Sequence, residues 1–166
     1  MQQLFKSCTL FNDLSTVHTN LTITNFERER WNNDYEALNF AVGKQRIKSR
    51  LAKKTPKKAG YFVALWHKNE FAKNIPFNEA DFDDKLVINI IDNQYKGQFI
   101  FTKEILIDKV IITTNAHKGK MSFRLYPLWC EDLNKSATNT QQWQLPYFID
   151  MTNGYDAMKI NKLYFN

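Results

Sequence analysis

Between Glu36 and Glu70 the chain holds no acidic residue and nine cations: Lys44, Arg46, Lys48, Arg50, Lys53, Lys54, Lys57, Lys58 and Lys68. The whole chain carries a net +6, so everything outside this stretch sums to −3. Basicity gathered in one place is the electrostatic footprint of an anion site. Arg46, Lys48 and Arg50 recur at every second residue, a spacing of roughly 7 Å on a strand. Four lysines then crowd into KKTPKK, residues 53–58. A polyanion held by such a ridge releases counterions, and its binding weakens steeply with salt. The competing reading is a solvated edge whose lysines block sheet-to-sheet aggregation. The missing acids favour the anion site, because a solubilising face mixes signs.

A second set joins aromatic and polar groups: Arg124, Tyr126, Trp129, Gln141, Trp143 and Gln144. Rings beside Arg and Gln can stack on bases and hydrogen-bond their edges. Each ring alone is ordinary core material. The set gains meaning only if the fold brings it beside the basic stretch. A third set, Glu79, Asp81, Asp83 and Asp84, offers oxygens suited to Mg²⁺ or Ca²⁺. It lacks the glycine of a calcium loop and reads as a solvated loop or cap. His18, His67 and His117 stand apart, with no HExxH and no CxxC, so no metal site is expected. Neither a P-loop nor a GxGxxG is present, and no catalytic residue or cofactor is assigned.

The elements that must position these groups follow from periodicity. Residues 2–16 show helical spacing through Leu4, Phe5, Cys8, Phe11 and Leu14. Residues 17–25 read as loop or short strand. A second helix is expected from Asn25 or Glu27 to Leu38, with Trp31, Tyr35 and Leu38 on one face. Residues 45–53 alternate as a half-exposed strand showing Arg46, Lys48 and Arg50 to solvent. KKTPKK is a turn, and Tyr61–Trp66 is a central strand apolar on both faces, completing a basic hairpin. Residues 69–84 read as loop. Leu86–Ile91 and Gln98–Phe101 are strands joined through a turn at 93–97. Lys103–Lys109 is a short helix, Met121–Tyr126 a strand, and Lys135–Leu145 a polar helix ended by Pro146. The last 16 residues give little signal. The sum is an α+β fold of one domain, residues 1–166, with N-terminal helices on a mixed, mostly antiparallel sheet.

Length and composition agree. A chain of 166 residues, 43% hydrophobic and 14% aromatic, can bury a sizeable core. Five Gly and four Pro leave little room for linkers. No apolar run approaches the roughly 20 residues of a membrane span. The opening MQQLFKSCTLFNDLS lacks an apolar region with a cleavage site, so no secretory leader is expected. Cys8 and Cys130 read as reduced thiols, and the cytoplasm is the expected compartment.

Four segments, RLAKKTPKKAGYFVALW, GQFIFTKEIL, SFRLYPLW and TQQWQLPYF, lie in one order across roughly residues 35–149. Together they resemble the MepB-like family of small bacterial proteins, associated with a multidrug-efflux gene cluster. Arg50, Lys53, Thr55, Pro56, Lys57, Lys58 and Gly60 match its basic signature. Lys103, Arg124, Tyr126, Trp143 and Gln144 match its later ones. The pair His67 and Lys68 departs from it, since two basic residues are expected after Trp66. The resemblance implies a bacterial cytosolic protein.

The expected function is binding of nucleic acid, a nucleotide or another polyanion through the basic hairpin, without membrane contact and with oligomeric state open. One alternative is a Mg²⁺-dependent nuclease or another enzyme acting on nucleotides, such as a phosphotransfer enzyme. A helix followed by three meandering strands begins a restriction-endonuclease-like fold, and Glu36 would end that helix. Against it, residues 45–53 and 60–67 contain no acid to hold a metal. The other alternative is a module docking onto an acidic protein.

Overall fold

The computed structural model describes residues 4–166. Helix α1 is Ser7–Val17, followed by strands β1, Ile23–Arg28, β2, Leu38–Val42, and β3, Gln45–Leu51. Short strands β4, Lys53–Lys54, β5, Tyr61–Ala64, β6, His67–Lys68, and β7, Asn74–Ile75, come next. The long hairpin of β8, Lys85–Asp92, and β9, Tyr95–Thr102, leads into α2, Lys103–Asp108. Strand β10, Ser122–Leu125, helix α3, Lys135–Gln144, strand β11, Phe148–Asp150, and helix α4, Ala157–Phe165, complete the order. None of the described helices is long and apolar enough to cross a membrane.

Six strands form the main sheet in the order β1-β2-β3-β8-β9-β11. Only β3 and β8 pair in parallel; the other neighbours are antiparallel, so the sheet is mixed as expected. Alternation along the central strands feeds two cores. Phe40, Ile47, Val87 and Ile100 meet Leu10, Phe11 and Leu14 of α1 and Ile160 and Tyr164 of α4. Leu86, Ile88, Phe99 and Phe101 point the other way, onto Val63, Leu65, Phe123 and Leu125. That second layer is a separate small sheet, ordered β10-β5-β4.

The helix expected between Asn25 and Leu38 does not form. Ile23–Arg28 is instead an edge strand paired with β2, and Asn33–Tyr35 makes a single 3₁₀ turn. Asn25, Asn32 and Glu36 all adopt positive φ, which stops a helix from passing through. The helix that joins α1 on the sheet comes from the uninformative C-terminal segment. The residue 2–3 portion of the first expected helix lies outside the described residues.

Glu36 therefore ends no helix; it begins one at a distance. Its carboxylate accepts from the backbone N–H groups of Lys6 and Ser7, each at 2.8 Å, and from Ser7 Oγ at 2.8 Å. These are the orphan donors of α1, which has no cap of its own from Lys6. Replacing Glu36 with Ala should cost about 2 kcal/mol of unfolding free energy, as a lost cap does. Glu36→Gln, which keeps one acceptor oxygen, should cost less. Urea denaturation of both variants checks the order.

Candidate nucleic-acid interface

The basic stretch divides on folding. β3 is an interior strand of the main sheet, while Lys53 and Lys54 belong to the small sheet, so the expected hairpin of residues 45–53 with 60–67 does not exist. Lys53 and Lys54 pair instead with Phe62 and Tyr61.

The exposed cationic row on β3 is overturned by burial. Arg50 has no exposed surface, Lys48 keeps 5%, and only Arg46 stays in solvent. Both buried cations pair with Glu29, which sequence reasoning passed over. Lys48 Nζ lies 2.6 Å from Glu29 Oε1, and Arg50 Nη1 donates to Glu29 Oε2. Lys48 also reaches Asn39 Oδ1 at 3.1 Å and stands 3.8 Å from Asp83. Arg50 Nη2 donates to Asn32 Oδ1 at 3.1 Å. Burial pushes the Lys48 ammonium below its ordinary pKa, and Glu29 opposes that shift. These two cations stabilise the sheet against its covering layer and are closed to a ligand. The third set also resolves as balance, with Asp83 beside Arg46 and Lys48, and Asp84 accepting from Arg46 N–H.

What the fold does assemble is the outer face of the small sheet. Arg124 and Lys53 flank Phe62 as cross-strand neighbours on its two sides. Arg124 Nη2 donates to Thr55 Oγ1 at 2.6 Å and to Ala59 O at 2.7 Å, clamping the KKTPKK turn onto β10. Gly60 closes the turn with φ of +79°, and a Cβ there would lie 2.6 Å from both Leu125 O and the Tyr126 ring. Lys57 and Lys58 lie on this held turn and are exposed. Lys54 keeps a pairing with Asp92 at 3.4 Å while its side chain remains 68% exposed. An exposed pair of this kind contributes about 0–1 kcal/mol, so a phosphate can displace it.

Beside the clamp lies a cavity of about 500 Å³ whose lining includes Lys109, Lys120, Arg124, Tyr126 and Trp143, and no carboxylate. Lys109 Nζ stands 5.7 Å from the centre of the Trp143 ring and 3.5 Å from the exposed Asp108. Lys109 caps α2 and Lys120 sits in the loop before β10, and nothing in their spacing marked them as partners. Arg124 and Trp143 lie together beside the basic turn, whereas Tyr126, expected as a stacking ring, is buried at 9% exposure and packs against Gly60. Gln144 is wholly buried and acts as a strut: it accepts from Tyr126 N–H at 3.0 Å and donates to Arg124 O at 2.9 Å. Gln141 likewise holds Pro127 O and Cys130 O. Trp129 donates to Tyr61 Oη and packs in the core.

Two expected members fall elsewhere. Lys103 lines a different cavity with Lys44, Lys85, Asp84 and Glu104. Lys68 is bonded to Ala72 O and Asn74 Oδ1 on the β6–β7 ribbon. No group of three metal-ligating residues occurs among the described residues. Cys8 and Cys130 are both free thiols.

Two outcomes follow. Glu29→Ala strands Lys48 and Arg50 and should cost about 3–5 kcal/mol of unfolding free energy, read by denaturant titration. Arg124→Ala releases the turn, and trypsin should cut at Lys54, Lys57 or Lys58 about tenfold faster, given a charge-assisted hydrogen-bond loss of about 1.5 kcal/mol or more.

No curated protein matches this chain. Among solved structures, a crystal structure of MepB aligns at 45% identity and a TM-score of 0.79, covering 89% of this chain and 98% of that one. A bacterial homing endonuclease, I-Ssp6803I, aligns at 13% identity and a TM-score of 0.42, covering 82% and 84%, a likeness too loose to bear on mechanism. The MepB-like family model matches residues 29–150, and this chain belongs to the MepB-like family.

Proposed function

We propose that this protein binds nucleic acid, or a polyanion of like charge spacing, on the outer face of the small sheet. The observation that carries the reading is the clamp of Arg124 on the KKTPKK turn, which joins four lysines to an acid-free cavity of about 500 Å³. Lys53, Lys54, Lys57 and Lys58 supply backbone contacts from the turn. Lys109 and Lys120 extend the positive surface past Arg124, and the half-buried Trp143 supplies ring surface in the cavity. Such charges act chiefly through counterion release and set affinity without reading sequence. A cytoplasmic location fits this role and is part of the proposal.

Several carboxylates around the basic stretch are paired: Asp108 stands 3.5 Å from Lys109. Asp92 accepts from Tyr61 Oη at 2.7 Å and pairs with Lys54. Glu29 and Asp83 both face Lys48, whose ammonium occupies the place between them. This arrangement favours holding an anion over cutting one.

The test is fluorescence-anisotropy titration of a labelled oligonucleotide at several salt concentrations, with and without Mg²⁺. Lys57→Ala with Lys58→Ala should weaken binding and reduce the slope of log K against log salt by about 1 per lysine removed. Charge reversal at both positions with binding unchanged would place the contact elsewhere. Oligonucleotide shortened only in the Mg²⁺ arm would show a nuclease instead.

A further inference from the structure

The same small sheet carries a second feature beyond its charges. Phe62, Ala64 and Trp66 alternate along β5 and its extension, opposite the buried Tyr61, Val63 and Leu65. Tyr35 lies against Phe62, with ring centres 6.1 Å apart, and Lys53 Nζ stands 4.9 Å from the Tyr35 ring. At the other end Lys68 Nζ bridges Trp66 and Trp31, at 5.7 and 6.0 Å from their ring centres, and Arg30 covers Trp31 at 4.6 Å. All four rings are half-buried, so each is fixed at its base and keeps a face near solvent. Cations thus border these rings at both ends, Lys53 beside Tyr35 and Lys68 with Arg30 beside Trp66 and Trp31.

Between Tyr35 and Trp66 lies a cavity of about 230 Å³. Asn32 and Ala64 line it, with Asn33 and Asp34, its one carboxylate. Asn32 is 6% exposed, and its Oδ1 accepts from Arg50 Nη2 and from Trp66 N–H. Its Nδ2 has no hydrogen-bond partner among the described residues. Through Oδ1, Asn32 acts as a bracket between Arg50 and the Trp66 backbone, fixing the floor of the cavity. Asn32 also holds a left-handed backbone, φ of +59°, which asparagine adopts more readily than other non-glycine residues.

We propose that this line of rings is a stacking track for unpaired bases, so the ligand is single-stranded nucleic acid. The proposal rests on the polyanion reading above and names the ligand's class. Bases insert at Trp66 and Tyr35, on either side of the cavity that Asn32 and Ala64 line. Lys53 and Lys68, displaced from the ring faces, turn to the adjoining phosphates. A duplex hides its base faces in its own stack and can offer the track only phosphates. An acidic protein offers charge without a series of flat rings.

The experiment compares the full chain against four probes: a single-stranded oligonucleotide of about 12 nucleotides, the duplex of the same sequence, heparin, and polyglutamate. Anisotropy gives affinity, and tryptophan fluorescence reports stacking. The expected result is single-strand affinity at least about tenfold above duplex, heparin and polyglutamate, with quenching only by the single strand. Trp66→Leu keeps an apolar side chain without a ring and should lose about tenfold in single-strand affinity alone. Its salt slope should be unchanged, and Trp66→Phe should restore most of the loss. Equal affinity for duplex or heparin, or an equal loss for every probe in Trp66→Leu, would overturn the proposal. Salt-dependent binding through Lys57 and Lys58 would then still stand. Tighter binding of polyglutamate would point to an acidic protein partner and also overturn it. If none of the polyanions binds, both readings fall.

Discussion

Arg50 is the constraint on which the rest of this fold depends. A guanidinium with no exposed surface loses its hydration, at a cost of several kcal/mol that only close partners can offset. Glu29 and Asn32 are those partners, and both sit on the chain between β1 and β2. The segment must therefore fold back over β3, through left-handed positions at Asn32 and Glu36 that a helix would forbid. Glu36 then meets the start of α1, and Asn32 meets the backbone of Trp66. One buried charge thereby ties the main sheet, the first helix and the small sheet together. The small sheet is thus held to the main sheet through Asn32, which bonds both Arg50 and the Trp66 backbone.

The cations of the basic stretch fall into two kinds, and their energetics separate them. Lys48 and Arg50 are desolvated and paired, so removing their partner is worth several kcal/mol. The turn lysines are solvated, and the pairing of Lys54 with Asp92 is worth about 1 kcal/mol at most. A ligand can compete for the second kind and not the first. The clamp adds order without burial: Arg124 fixes where the turn lysines stand while their side chains remain free to reach phosphates. Gln144 performs the complementary task from inside, fixing the backbone of Arg124 and Tyr126.

The sequence made the local elements legible. The β8–β9 hairpin, α2, β10 and α3 all followed from periodicity and turn residues, because neighbours in the chain decide them. The KKTPKK turn was legible for the same reason. Lys48 and Arg50 were misread because alternation reports that a strand has two faces, not that both are covered. Their counter-charge Glu29 lies 19 and 21 residues upstream, outside the acid-free window that drew attention. The segment 25–38 misled through Trp31, Tyr35 and Leu38, whose helical spacing serves packing in irregular backbone. Lys109 became a neighbour of Arg124 only through the return of the chain from Ile111 to Lys120, whose N–H donates to Ile111 O at 2.8 Å. The aromatic line needed the same step, since Trp31 and Tyr35 reach Trp66 and Phe62 across 35 and 27 positions of chain.

The central claim is that the outer face of the small sheet is where the ligand lies. Amide hydrogen exchange of the intact protein, with and without a saturating single-stranded oligonucleotide, tests it most directly. The account predicts slowed exchange in residues 31–35, 53–62 and 122–126, with the α1–α4 layer unchanged. Slowed exchange confined to α1, α4 or the edge strand β1, with the small sheet unaltered, would contradict it.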